Sequence, residues 1–205
     1  MEDRKKFWEH VYQRKSPQEV SWTQKVPETS LTLIRRCKLP HSAPIIDVGG
    51  GDSTLVDHLL TEGYNNITVL DISEKAIEKA KDRLGKRASQ VQWITSDILD
   101  FTPPERYQLW HDRATFHFLN KEEEIARYIQ IASKNINGYL ILATFSETGP
   151  EKCTGLPVHR YSESSLEAIL SSGFIKLACI QEDHITPSHS RQNFLFCSFG
   201  RIKGI

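Results

Sequence analysis

Short apolar runs rich in β-branched residues alternate along the chain with longer amphipathic stretches. That pattern predicts repeated strand–helix units and a mainly parallel sheet. Residues 2–15 read as a helix with Phe7, Trp8, Val11 and Tyr12 toward one side, broken at Ser16-Pro17. A second helix is expected over 27–38, where Pro27 suits the first turn and Pro40 stops it. The first strand, Pro44-Ile45-Ile46-Asp47-Val48, ends in Gly49-Gly50-Gly51 and leads into a helix over 53–62. Further strands are expected at 67–70, 91–94, 107–110 and 139–145. Between them fall a helix over 74–84, capped by Ser73, and one over 121–135 with Gly138 near its end. Residues 147–157 read as a Gly/Pro-rich loop. Ser162 or Ser164 then caps a helix over 164–171, and strands at 174–181 and 193–199 flank a polar turn at 186–190. The expected architecture is an α/β, doubly wound, mostly parallel seven-stranded sheet with a C-terminal antiparallel hairpin. It forms one domain over 1–205, with a helical cap in 1–40 and the core in 41–205.

Lys plus Arg and Asp plus Glu each number 26, so the formal net charge is zero. A chain that coats nucleic acid or an anionic membrane is normally basic, so neither partner is expected. Residues 1–40 hold nine basic against five acidic residues, a mild excess that suits a solvated surface. The opening MEDRKKFWEH lacks the apolar stretch of a signal peptide, and no apolar run approaches about 20 residues. A soluble, cytoplasmic location is therefore expected. Cys37, Cys153, Cys179 and Cys197 form no C-x-x-C pair and no zinc-ligand spacing, which predicts no metal and four free thiols. Of these, Cys153 reads as a surface thiol. His184 and His189 have no partner legible in the sequence.

In open α/β sheets ligands bind beyond the carboxyl ends of the strands, so the residues just after each strand carry the candidate chemistry. Gly49-Gly50-Gly51 lets the backbone bend sharply and lets a ligand approach closely, while the helix after Ser53 aims its free N–H groups at it. The dinucleotide pattern G-x-G-x-x-G is broken by Thr54 in its third glycine position. Asp47 and Asp52 at the turn would repel a pyrophosphate and suit an ammonium group or a sulfonium cation. Asp71, 20 residues after Gly51, is placed to accept from ribose hydroxyls. Asp97 is placed to accept from an adenine amino group, with Ile72 and Ile98 sandwiching the ring.

These residues resemble the class I S-adenosylmethionine-dependent methyltransferases. The resemblance rests on Asp47-Val48-Gly49-Gly50-Gly51-Asp52-Ser53, Val69-Leu70-Asp71-Ile72-Ser73, Ser96-Asp97-Ile98 and Tyr107-Gln108-Leu109-Trp110-His111-Asp112-Arg113, and it spans about residues 30–200. It implies a Rossmann-like fold and S-adenosyl-L-methionine as the cofactor. The first motif then holds the methionine end, Asp71 the ribose and Asp97 the adenine, with His111 also at the cofactor. Trp22, in Val20-Ser21-Trp22-Thr23-Gln24, resembles the segments that close over the cofactor in small-molecule and lysine methyltransferases.

Methyl transfer needs a base only where the nucleophile arrives protonated. Asp112 and His117, in the segment after the fourth strand, are the candidates for that role. Equally, the segment serves as a structural cap, with Phe116 and Phe118 in the core. The expected acceptor is a small molecule reacting at sulfur, nitrogen or oxygen, with protein-lysine methylation as the alternative. The tetrapeptide Asp112-Arg113-Ala114-Thr115 departs from the Asn-Pro-Pro-Tyr type that amine acceptors often use. RNA methylation fits poorly with the zero charge. A cofactor sensor or regulatory subunit is the non-enzymatic reading, and a nicotinamide dehydrogenase is the rival enzyme class.

Overall fold

The computed structural model describes residues 2–16 and 19–202. Pro17, half of the expected helix break, lies outside the described residues. Two helices precede the sheet: α1 (Glu2–Arg14) and α2 (Glu28–Arg36). The core then runs β1 (Ile45–Val48), α3 (Leu55–Thr61), β2 (Ile67–Asp71), α4 (Glu74–Leu84), β3 (Val91–Thr95), β4 (Tyr107–Arg113), α5 (Glu122–Asn135) and β5 (Ile136–Phe145). A two-stranded ribbon, β6 (Lys152–Cys153) and β7 (Leu156–Pro157), precedes α6 (Glu163–Leu170), β8 (Phe174–Ile185) and β9 (Arg191–Arg201). The main sheet has seven strands in the order β3-β2-β1-β4-β5-β9-β8. Its first five are parallel, and β9 and β8 are antiparallel.

Every residue of β1 and β2 is buried, which is why those strands read as continuous apolar runs rather than as alternation. Successive side chains serve opposite faces. Ile46, Trp110, Leu140 and Leu195 pack beneath Tyr128 and Leu166 of α5 and α6. Ile45, Val69, Leu109 and Phe196 pack against Leu31, Ile34 and Leu59 of α2 and α3. The strand order reverses between β1 and β4, and that reversal opens the crevice at the carboxyl ends of the strands.

The helix over 74–84 forms as expected because Ser73 is a working cap: its hydroxyl accepts from Ala76 N at 3.2 Å. Other expectations are corrected. β4 runs to Arg113, so His111 and Asp112 lie within the strand and point to opposite faces. Gly138 belongs to β5 rather than to the end of a helix, where the carbonyl of Gln108 leaves no room for a Cβ. The 147–157 loop contains the β6–β7 ribbon. The helix over 164–171 starts one residue earlier and is capped by Ser162, in a capping box with Ser165.

The four cysteines are not all free. Cys179 and Cys197 sit directly opposite each other on β8 and β9 and form a disulfide, which spacing alone did not disclose because the pairing depends on hairpin register. Cys37 and Cys153 remain as thiols, and Cys153 is buried rather than on the surface. Alkylation of the unfolded protein without reductant should modify two cysteines, and all four after reduction, as read by mass spectrometry. Four modified cysteines before reduction would show that the bridge does not form.

Candidate active site

Beyond the carboxyl ends of β1, β2, β3 and β4 lies a cavity of about 740 Å³, within the size range of small-molecule sites. The parallel register sets Asp47 beside His111 across β1 and β4. His111 Nδ1 lies 2.7 Å from Asp47 Oδ1, and its Nε2 lies 2.9 Å from Ser30 Oγ of α2. A carboxylate only accepts, so Nδ1 carries the proton. Asp47 Oδ2 is left buried without a partner, on a residue that lines the cavity. A buried carboxylate oxygen in that condition calls for a donor from a ligand.

The glycine turn makes this approach possible. Gly49 adopts φ 67°, and a Cβ on Gly50 would stand 2.6 Å from Asp47 Oδ2. Gly51 supports the turn from behind: its missing Cβ would press on Asp71 and Ala76. Asp71 ends β2 against the cavity, and its Oδ1 accepts from Ser73 N at 2.8 Å. Burial pushes its carboxyl up to about 7, with Asp47 adding repulsion. Ile72, Asp97 and Ile98 continue the lining along β2 and β3. Asp97 Oδ1 accepts from Leu99 N at 3.0 Å, and its Oδ2 meets Arg4 at 3.2 Å. Ser53 lines the cavity, and its hydroxyl accepts from Leu55 N at 3.1 Å. Asp52, expected to face a cation on the ligand, is instead paired with Arg83.

The cap over the cavity is fixed at several points. Glu9 of α1 accepts from Ser73 Oγ, Glu74 N and Lys75 N, so its charge sits on the free amides at the start of α4. Arg4 bridges Asp97 and Glu124. The 20–25 segment is held by its carbonyls: His184 meets Ser21 O at 2.6 Å, Arg113 donates to Trp22 O at 3.0 Å, and Thr54 donates to Gln24 O at 3.0 Å. His184 thus has the partner that the sequence did not reveal. Trp22 lines the cavity, beside Trp8, Tyr12 and Phe118.

Asp112 and His117 are corrected: neither lines the cavity. Asp112 faces α5 and is fully buried, accepting from Thr115 N at 3.0 Å, Phe116 N at 3.1 Å and Tyr128 Oη at 2.7 Å. It shapes the turn after β4 and has no free oxygen for a substrate proton. His117 is equally buried and accepts from Phe145 N at 3.2 Å. Burial, reinforced by the charge of Arg113, pushes it down to about 3, so it stays neutral. The sequence reading missed Arg4 and Arg113, and it gave Trp8, Tyr12, Phe145, Gln192 and Phe194 no role at the site. The aromatic pair Trp8 and Tyr12, one helical turn apart, was the available signal.

The comparisons with known proteins agree with this geometry. Residues 45–135 match the family described as methyltransferase domain. The chain is 28% identical over 127 residues to the eEF1A lysine and N-terminal methyltransferase of Mus musculus, covering 58% of this chain and 17% of that protein. It is 33% identical over 106 residues to the malonyl-[acyl-carrier protein] O-methyltransferase of Anoxybacillus flavithermus, covering 50% and 39%. The chain therefore spans less than half the length of these relatives. The N-methyltransferase NodS from Bradyrhizobium japonicum, solved with S-adenosyl-L-homocysteine, superposes with a TM-score of 0.68 at 16% identity, covering 95% of this chain and 98% of that one. Residues 45–135, less than half of the chain, are thus similar to the methyltransferase-domain family, and the chain shares the fold of solved methyltransferases. Among the described residues no helix is long and apolar enough to cross a membrane.

Replacing His111 with Leu would remove the partner of Asp47 Oδ1 and leave both carboxylate oxygens buried without one. We expect a loss on the order of 3–5 kcal/mol in urea unfolding, because one partner of a buried pair has been removed. An unchanged unfolding midpoint would show that the pair contributes nothing to the fold.

Proposed function

We propose that this protein transfers a methyl group from S-adenosylmethionine to a small-molecule nucleophile. The observation that carries this reading is the lining of one cavity, which brings the orphaned Asp47 oxygen and the buried Asp71 together with aromatic rings and the Arg113 guanidinium. The acids suit an adenosine bearing an ammonium group, and the aromatic rings suit a separate acceptor.

Bound S-adenosylmethionine supplies a methyl group already activated on a positively charged sulfur. In our reading Asp47 holds the ammonium group, Asp71 the ribose hydroxyls and Asp97 the adenine amine. Ile72 and Ile98 flank the ring, and Gly49, Gly50, Gly51 and Ser53 shape the backbone beneath the methionine end. His111 acts through Asp47 by fixing its orientation. Trp22 covers the cavity, and residues 1–40 serve as its cap. The cap excludes water, and positioning then supplies much of the rate.

Asp112 and His117 are enclosed in the core, so the acceptor is expected to arrive unprotonated at its reacting atom. A lysine ammonium would meet like charge at Arg113, which favours a small molecule over the protein acceptor that the eEF1A relative brings to mind. The aromatic lining also speaks for an enzyme rather than a sensor. The zero net charge argues against a nucleic acid partner, and we expect the protein in the cytoplasm.

Asp71→Ala should weaken S-adenosylmethionine binding by about 1–3 kcal/mol, roughly 5- to 150-fold, in calorimetry, while NAD binds neither protein. Tight binding of NAD to the unaltered protein would remove the reading. Hydroxyl donors favour an ionised carboxylate, so affinity should weaken as pH falls through about 7. In Asp71→Asn that dependence should disappear. A wild-type affinity that is flat between about pH 6 and 8 would place the ribose elsewhere.

A further inference from the structure

Arg113 is a partly exposed cation, two of whose donors are buried and unused among the described residues. It ends β4 and lines the cavity. Its Nη1 donates to Trp22 O at 3.0 Å, and its guanidinium lies 4.6 Å from the centre of the Phe194 ring. Its Nε and Nη2 are buried without partners. Among the described residues no carboxylate lies within ion-pair distance; Glu182 and Asp47 act on it only from further away. Glu182 is itself engaged by Gln24 and Thr29. Gln192, two residues before Phe194 on the same face of β9, also lines the cavity and leaves its buried Oε1 unpaired.

We infer that Arg113 anchors a carboxylate on the methyl acceptor. Nε–H and Nη2–H lie along one edge of the guanidinium and point the same way, which matches the two oxygens of a carboxylate. The contact of Nη1 with Trp22 fixes the plane and leaves that edge free. Phe118, Phe145 and Phe194 supply an apolar wall for a flat body attached to the acid. Burying donors of a cation without a partner is costly, and the cost is offset once a ligand brings the missing charge. The substrate class is thus a small acid with an aromatic or other planar apolar body. The inference rests on the proposed function only for the word acceptor; the anion site stands on Arg113 alone.

The test is calorimetry on the full chain, free and saturated with S-adenosylhomocysteine, using benzoate, benzamide and benzylamine as probes. Benzoate should bind roughly tenfold or more tightly than benzamide, and benzylamine should not bind. Arg113→Met should abolish benzoate binding, and it should weaken S-adenosylhomocysteine by no more than roughly threefold, through the lost contact with Trp22 O. Arg113→Lys, which keeps the charge without the fork, should bind benzoate with intermediate affinity. Equal binding of benzoate and benzamide would overturn the inference, as would benzoate binding that survives in Arg113→Met. A larger loss of S-adenosylhomocysteine affinity in Arg113→Met would also overturn it, by assigning the arginine to the cofactor's own carboxylate. Should Arg113→Met not fold, the probe series and Arg113→Lys decide. Failure of the unaltered protein to bind S-adenosylhomocysteine would refute the proposed function, and benzoate against benzamide on the free protein would still decide the anion site.

Discussion

The site depends on the register between β1 and β4. That register sets the Asp47 carboxylate against the His111 ring at the point where the strand order reverses. One oxygen of Asp47 is occupied by the histidine, and Ser30 secures the far side of the ring. The other oxygen is thereby fixed in direction and has no partner among the described residues. A slip of β4 by one residue would send the His111 ring to the opposite face, where Tyr128 and the aromatic core leave no cavity. The backbone hydrogen bonds of the sheet therefore determine where a positively charged ligand group can be held.

The cap obeys a similar logic with weaker contacts. Glu9 places a negative charge on the first amides of α4, the positive end of that helix dipole, and so ties α1 over the ends of β2 and β3. Arg4 reaches further, to Asp97. Part of the adenine-facing acid is thus already engaged by the cap, and a ligand there would share Asp97 with an arginine whose side chain is a quarter exposed. Exposed pairs of this kind contribute little to stability. The carbonyls of residues 21, 22 and 24, by contrast, are each held by a part-buried donor.

Much of this was legible in the sequence because several local signals coincided. Ser73 with the apolar spacing of Ala76, Ile77, Ala80 and Leu84 defined α4 at both ends, and the glycine run marked the turn after β1. Asp47, Asp71 and Asp97 were readable because each ends, or nearly ends, an apolar strand. The end of β4 was not readable: His111-Asp112-Arg113 is a polar run with loop-like composition, and only its pairing with β1 and β5 makes it a strand. The Cys179–Cys197 bridge needed the register of a hairpin whose strands run longer than their apolar stretches suggest. Arg113 gave no signal of its own, since a lone arginine after a strand says nothing about whether its donors are met.

Strand alternation explains why Asp112 lies away from the cavity while a cation lies in it. Along β4, His111 and Arg113 project toward α2 and β9, whereas Asp112 projects toward α5. Asp112 is then committed to Tyr128 and to the amides of the following turn, and that turn in turn seats Phe116 in the core. Freeing Asp112 to act on a substrate would undo the packing that shapes the far wall. The chain thus lines one cavity with carboxylates and with a guanidinium that keeps two buried donors unpaired. Such an arrangement discriminates among acceptors by charge, without a base, because a second cation is repelled from both Arg113 and a bound sulfonium, while an anion is drawn to each.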